Sequence, residues 1–262
     1  MKPEKLVPAR SKSMPRTHAT LKRLFVEGPL EAAGRVPLGR EPSLYLMSVL
    51  RMEAGDEVVL FNGRDGAWLG RIEGDSKKSV IVALADQIAP QPVRPDLWYG
   101  FAPLKAARLD YVIQKATEMG ATTIQPVITR FTQVTRIRTD RMRANAIEAA
   151  EQCEVLTVPE IRDEIALSRL LDSWPAAQGD RVLIVADEAE ASMSPLERVR
   201  QLEGRRVGLL VGPEGGFADE ERAALRGRDF VVPISLGPRI LRADTAAVAA
   251  LAVIQACIGD WR

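Results

Sequence analysis

From about residue 96 onward, short apolar runs alternate with helical stretches, and this alternation limits the fold more than any other feature of the chain. LWYGFAPL precedes a helix over Ala106–Met119, and TIQPVIT precedes another over Thr139–Gln152. RVLIVADE, VGLLVGPEGG and FVVPISLG are three further apolar strands with helices between or after them. Apolar strands separated by helices assemble into a parallel sheet covered on both faces, an α/β class. Ligands of such sheets lie beyond the carboxyl ends of the strands. Three loops become candidates together: Ala186-Asp187-Glu188, Gly212–Phe217 and Leu236–Arg242.

Upstream the texture differs. Residues 1–24 hold seven Lys/Arg and one acid, interrupted by Pro3, Pro8 and Pro15. Residues 1–20 read as a disordered basic leader, with an RNA-gripping arm as the second reading. Residues 21–88 read as a compact β-rich module ending near Asp86, built from LKRLFVEG, GDEVVLFNG, AWLGRIEG and KKSVIVAL. NGRDG, Asn62–Gly66, is its hairpin turn and SLYLMSVLR its one short helix. APQPVRP, Ala89–Pro95, has three prolines in seven residues and reads as the linker to a domain over 96–262.

Several chemistries are excluded. The single histidine, His18, lies in the basic leader, so neither a histidine-ligated metal site nor a Ser-His-Asp triad is expected. GxGxxG and GxxxxGK[ST] are absent. Cys153 and Cys257 form no CxxC and read as two buried, reduced thiols. No apolar run is long enough to span a membrane and no secretory signal appears, so a cytoplasmic protein is expected. The net charge of +1 neither demands nor excludes nucleic acid. Local patches speak instead. Arg130, Arg136, Arg138, Arg141 and Arg143 crowd the entry to a helix against Asp140, where basic residues oppose the helix dipole. An RNA phosphate backbone would supply the need, with Arg23 and Lys105 as further candidates and a solvated helix surface as the alternative.

Two loops carry more constraint than a turn requires. In GPEGGF, one glycine and one proline would suffice for a strand-to-helix turn. Gly212, Gly215 and Gly216 around a lone Glu214 point to backbone hugging a ligand, with Asp219 capping the next helix. A phosphate cradle fits less well, since Glu214 would repel an anion. In LGPRILRADTA, Ile240 and Leu241 are either core plugs or the walls of an apolar slot for a flat ring, and Asp244 or Thr245 caps the last helix. That helix, AAVAALAVIQAC, is apolar on nearly every side and must be buried in the core or against another subunit.

VGPEGGF followed by SLGPRILRADTA closely resembles the paired signatures of the RsmE family of ribosomal RNA uridine-N3 methyltransferases, within the SPOUT superfamily of S-adenosylmethionine enzymes. The similarity runs from about Arg23 to the C-terminus, with RLFV, YLMSVLR, VIQKATEMG and EAAEQC in the family's order. The family's usual ending is LGPRILRTETA, from which Ala243-Asp244 depart mildly. Many members also carry an arginine just after the AEQ motif, where this chain has CEVLTVP.

The resemblance implies a parallel sheet tied in a C-terminal trefoil knot, an exception to the usual unknotted topology. It implies a PUA-like RNA-binding barrel at the N-terminus and a homodimer, which favours a subunit interface for the last helix. It implies S-adenosylmethionine held by Ala186, Asp187, Val211, Gly212, Pro213, Gly215, Gly216, Leu236, Gly237, Ile240, Leu241 and Thr245, with small-subunit (16S) ribosomal RNA as the partner and no metal. Methyl transfer from a sulfonium needs in-line placement and a dry pocket more than a metal. Arginine is a poor base, so Arg242 is expected to stabilise negative charge on the uracil oxygens. Glu214 is the candidate proton acceptor, or a carboxylate facing the sulfonium. Two other readings stand beside this one: another RNA target such as a ribose 2′-hydroxyl, and a non-catalytic RNA-binding protein, against which the intact GPEGGF and LGPRILR argue.

Overall fold

The computed structural model of the protein describes residue 18 and residues 20–74, 79–93, 96–134, 136–187 and 194–261. Most of the basic leader, and Glu188, lie outside the described residues. The chain divides into two compact units at residues 93 and 94.

In the first unit, β1 (Arg23–Phe25), β2 (Arg35–Pro37), β3 (Glu57–Phe61), β4 (Ala67–Glu73) and β5 (Ile81–Ala89) form one sheet in the order β1-β3-β4-β5-β2. β1 lies parallel to β3, and the remaining pairs are antiparallel. Val58, Leu60, Ile72, Val82 and Leu84 bury against Leu24, Val36 and Leu46. β5 continues to Ala89, which pairs with Ala67 across bulges, so the sheet outlasts the expected end at Asp86 and takes Ala89 from the linker. β2 went unseen because Pro37 interrupts its short run; at the sheet edge its missing N–H is tolerated. SLYLMSVLR starts inside α1 (Arg40–Leu44) and then widens into a π-helical turn over Tyr45–Val49. The Leu50 N–H reaches the Tyr45 carbonyl (3.0 Å), and Arg51 ends the segment at φ +56°.

The Asn62–Gly66 hairpin turn is a polar hub. Asn62, 7% exposed, donates from Nδ2 to the Gly28 carbonyl (2.9 Å) and to Asp65 Oδ2 (2.6 Å). Its Oδ1 accepts the N–H groups of Arg64 and Asp65. The bonds from Asn62 and from the Leu30 N–H hold the Asp65 carboxyl below the usual carboxylate range. Asn62→Ala removes every side-chain bond that the buried amide makes in the turn and loosens the 28–30 loop, so it should lower stability by about 1–3 kcal/mol in urea unfolding. A loss under half that would show that water replaces the amide.

In the second unit, β6 (Leu97–Phe101), β7 (Thr123–Ile128), β8 (Glu160–Ile161), β10 (Val182–Ala186), β11 (Val207–Val211) and β12 (Val231–Ile234) lie in the order β12-β10-β11-β6-β7-β8, with β9 (Ile165–Ala166) beside β7. All these pairs are parallel. Alternate side chains feed two cores, as expected for strands covered on both faces. Tyr99, Phe101, Ile184 and Leu209 pack with α2 (Ala106–Glu118), α3 (Thr139–Gln152), α5 (Pro195–Arg200) and α7 (Ala243–Ile258). Trp98, Leu183, Val185 and Leu210 pack with α4 (Leu167–Gln178) and α6 (Asp219–Arg226). The expected bounds of α3 hold, and α2 stops one residue early, with Met119 as its cap. β8 and β9 are two-residue strands, too short to leave a periodic signal.

The last helix sets one face in the core and leaves another half-buried. Ala246, Ala247, Ala250, Leu251 and Ile254 lie in the core, while Val248, Ala249, Ala252 and Val253 remain half-buried. Gln255 is buried and fully used: Nε2 donates to the Met119 carbonyl (2.6 Å) and Oε1 accepts the Asp260 N–H (3.1 Å). Of the two cysteines only Cys257 is buried; Cys153 is exposed, because it caps the C-terminus of α3 instead of packing within it.

Candidate active site

β12, β10, β11 and β6 are neighbours, and their register aligns Ile234, Ala186, Val211 and Phe101 at one level. The three candidate loops therefore leave the sheet side by side. The α2 segment joins them, since β6 feeds it at the same end and the Ala102 N–H bonds the Val211 carbonyl (2.9 Å).

In the middle loop, Val211, Gly212 and Pro213 are buried, Gly216 is half-buried, and Glu214 and Gly215 are exposed. The Gly216 N–H closes a turn on the Pro213 carbonyl (2.9 Å). Two of the three glycines also answer to the fold itself. A Cβ at Gly212 would meet the Phe217 ring at 2.9 Å, and Gly216 sits at φ +71°. Both therefore have internal reasons to be glycine. Only Gly215 has neither; its open side faces Phe131 at ordinary contact, 3.4 Å from where a Cβ would stand. Asp219 is not the cap of α6 either. Ala218 holds that place, and Glu221 reaches back to its N–H (3.0 Å).

The third loop splits its apolar pair. Leu241, like Leu236, packs against the core, whereas Ile240 is 89% exposed. Gly237 takes φ +105°, and Arg242 forms the N-cap of α7 with an exposed side chain. The exposed Thr245 gives its N–H to Asp244 Oδ1 (2.9 Å). In the first loop, Ala186 is half-buried against the core. Asp187 is buried, with its carboxylate 3.4 Å from Arg222 and 3.6 Å from Arg226 of α6. Its N–H bonds the Ile234 carbonyl (3.0 Å), so the residue ties this strand end to α6 and β12.

Two side chains at this end carried no motif. Arg108 of α2 donates from Nη1 to Glu214 Oε1 (3.1 Å), and its Nε lies 3.9 Å from Asp244 Oδ2. Glu214, expected to stand alone, is therefore half of an ion pair that joins α2, the middle loop and the start of α7. Phe131, 47% exposed, lies on Gly215. Beneath them, burial and then the nearby Asp244 carboxylate push the Tyr99 phenol far above its usual range, so it stays neutral.

The basic candidates are less uniform than their spacing suggests. Arg130, Arg136, Arg138, Arg141 and Arg143 are exposed, as is Lys105 at the N-cap of α2. Arg138 pairs with Asp140 (2.9 Å) and Arg141 with Asp110, which offsets part of the unfavourable charge near the start of α3. Arg23 is corrected: it is 7% exposed within β1 and offers no surface for phosphate. Among the described residues no group of three His, Cys, Asp or Glu could hold a metal ion, and no helix is long and apolar enough to cross a membrane.

This arrangement has close counterparts. The sequence model of an RNA methyltransferase domain matches residues 90–255, and that of an RNA methyltransferase PUA domain matches residues 40–85. The ribosomal RNA small subunit methyltransferase E of Rickettsia conorii is 32% identical, covering 89% of this chain and 94% of that protein. A methyltransferase of Legionella pneumophila, solved with its bound cofactor SAM, is 32% identical at a TM-score of 0.77, over 90% of this chain and 97% of its own. The Neisseria gonorrhoeae ribosomal RNA small subunit methyltransferase E, solved with S-adenosylmethionine, is 26% identical at a TM-score of 0.82, over 92% of this chain and all of its own. A parallel sheet whose loops converge at one end, a PUA unit before it, and these matches along nearly the whole length agree: the chain belongs to the RNA methyltransferase family, alongside the ribosomal RNA small subunit methyltransferase E proteins.

Proposed function

We propose that this chain methylates N3 of a uridine in small-subunit (16S) ribosomal RNA, using S-adenosylmethionine held by the loops that leave β10, β11 and β12. One observation carries the reading: three adjacent parallel strands end at one level, with an exposed arginine, Arg242, and an anchored carboxylate, Glu214, in their loops. The residues fit the cofactor. Exposed Ile240 with half-buried Leu236 and Leu241 offers apolar surface to a flat ring. The backbone of Gly212, Pro213, Gly215, Gly216 and Gly237, with Ala186, Val211 and Thr245, would wrap it, and Asp187 would contribute backbone, since its carboxylate is turned to Arg222 and Arg226. Bound there, S-adenosylmethionine supplies a methyl group on a positively charged sulfur.

The chain's own residues then divide the work. Arg242 stabilises the charge that gathers on the uracil oxygens as N3 loses its proton. Arg108 holds Glu214 Oε1, leaving Oε2 to accept that proton. Exposed Lys105, Arg130, Arg136 and Arg143 contact phosphate, with Arg138 and Arg141 joining by exchanging their carboxylates for it. The same reading gives the second unit a C-terminal trefoil knot and pairs two chains through the half-buried strip of α7, which sedimentation of the intact protein tests. It places the enzyme in the cytoplasm with its ribosomal substrate.

Saturating S-adenosylmethionine in metal-free buffer is expected to raise the melting temperature, since ligand at about 100 times Kd adds roughly 2.7 kcal/mol to the folded state. No shift would sink the cofactor site. Nucleoside mass spectrometry of ribosomal RNA from a deletion strain should lack one 3-methyluridine; loss of a ribose-methylated nucleoside instead would redirect the reading to a 2′-hydroxyl.

A further inference from the structure

We propose that Phe131 is a stacking platform for an unpaired nucleobase of the RNA substrate, set at the mouth of the methyl-transfer site. The proposal rests on the methyltransferase reading above and assigns a substrate contact to a residue outside every motif of the sequence.

The first ground is exposure where exposure is unfavourable. Phe131 is 47% exposed although the cores of this unit bury Phe101 and Phe217 almost completely. The second is the rigidity of the turn that presents it. The Thr132 N–H bonds the Thr129 carbonyl (3.1 Å), the Thr129 N–H bonds Thr132 Oγ1 (2.9 Å), and the two hydroxyls lie 3.0 Å apart. The Arg130 N–H is held by Glu221 Oε1 (2.8 Å), from the same side chain that caps α6. Four bonds thus fix a four-residue turn whose apolar side chain stays in solvent.

Position is the third ground. A Cβ at Gly215, next to Glu214, would stand 3.4 Å from the Phe131 side chain, so the middle loop lies along one side of Phe131 while 47% of the residue is exposed. A flat ring supported on one edge beside the reacting groups can take a flat partner, and every base has a π-face to offer. The fourth is charge. Arg130 and Arg136, both exposed, belong to the same connecting segment as Phe131, so the segment that presents the ring also carries cations for a phosphate backbone. Sequence-specific RNA enzymes reach splayed-out bases by stacking them on aromatic side chains, because bases within a duplex are inaccessible.

The test compares the full-length protein with Phe131→Ala, Phe131→Leu and Phe131→Trp. Methyl transfer to unmodified small-subunit ribosomal RNA, and binding of a fluorescein-labelled single-stranded oligouridylate, are measured with S-adenosylmethionine affinity, melting temperature and sedimentation. Alanine and leucine should lower kcat/KM and oligouridylate affinity by roughly 5- to 150-fold, while tryptophan stays within about twofold of the parent. Cofactor affinity and melting temperature should hold. Leucine behaving like phenylalanine would overturn the proposal, because apolar packing on Gly215 would then be the whole role. Loss of cofactor affinity in step would make Phe131 a loop support, and a change in sedimentation would make it a subunit contact. If the parent transfers no methyl group to the RNA, the methyltransferase reading fails; the oligouridylate arm still decides whether Phe131 stacks a base.

Discussion

Replacing Arg242 with alanine is expected to lower kcat for RNA methylation by roughly 10²- to 10³-fold, the usual effect of deleting one donor that meets developing charge. Affinity for S-adenosylmethionine should change by no more than about twofold, because the proposed partner is the uracil and not the cofactor. The fold gives this variant a clean background. Arg242 starts α7 through its carbonyl, which accepts the Ala246 N–H at 2.8 Å, and its side chain makes no capping bond. Alanine keeps that carbonyl in place. Arg242→Lys retains the charge but not the planar fork, so it should recover only part of the rate. Isothermal titration with the cofactor and single-turnover methylation separate the two effects. Equal collapse of cofactor binding and rate would make Arg242 a wall of the cofactor loop.

The largest expected loss of stability comes from the opposite end of the sheet, at Arg181→Met. Arg181 is 4% exposed, yet each nitrogen of its guanidinium finds a partner. Nε donates to Gln178 Oε1 (2.9 Å), Nη1 to the carbonyls of Asp96 and Val207 (2.9 Å each), and Nη2 to the Asp96 carboxylate. Its own carbonyl accepts the Trp174 indole N–H (2.8 Å). These bonds pin the segments entering β6 and β11 to the end of α4. Methionine fills similar space but leaves the Asp96 and Val207 carbonyls without their donor, at a cost of roughly 2–4 kcal/mol together, while the half-exposed Asp96 carboxylate keeps its pair with Arg206. For a unit of this size that is on the order of 10 °C in melting temperature.

The acid limb of stability carries the same signature. Burial alone would raise the Asp96 carboxyl, but the bonds from Arg181 and Arg206 outweigh it and hold it below its ordinary value. A carboxyl lowered on folding contributes stability above its unfolded pKa and loses it as pH falls through the lowered, folded value. Arg181→Met should therefore flatten the fall in stability below about pH 4, where an unperturbed aspartate protonates. Urea unfolding of parent and variant from neutral pH down to about pH 3 reads both effects. A variant within about 1 kcal/mol of the parent would mean that water enters and replaces the guanidinium.

Local pattern determined much of this protein. Short runs such as VLIVA and VGLLV carry apolar residues on successive positions and alternate with longer helical stretches, so the α/β class with a parallel sheet was legible from the sequence. GPEGGF and LGPRILR marked two of its loops because their signals are local in the chain. What stayed hidden depends on residues far apart in sequence. Arg108 meets Glu214 across 106 positions, and nothing near Arg108 announces a partner. Phe131 came to stand beside Gly215 only through folding. Asp187 read as part of a candidate ligand-holding loop; folding turns its carboxylate to Arg222 and Arg226 of α6. Arg23 read as a surface cation until β1 was laid beside β3. Ile240 and Leu241 are the sharpest case: equivalent in sequence, they part because the loop turns one into the core and leaves the other in solvent. Periodicity reports which faces of an element must be buried; which distant groups meet there is decided by packing, and only the tertiary structure holds that information.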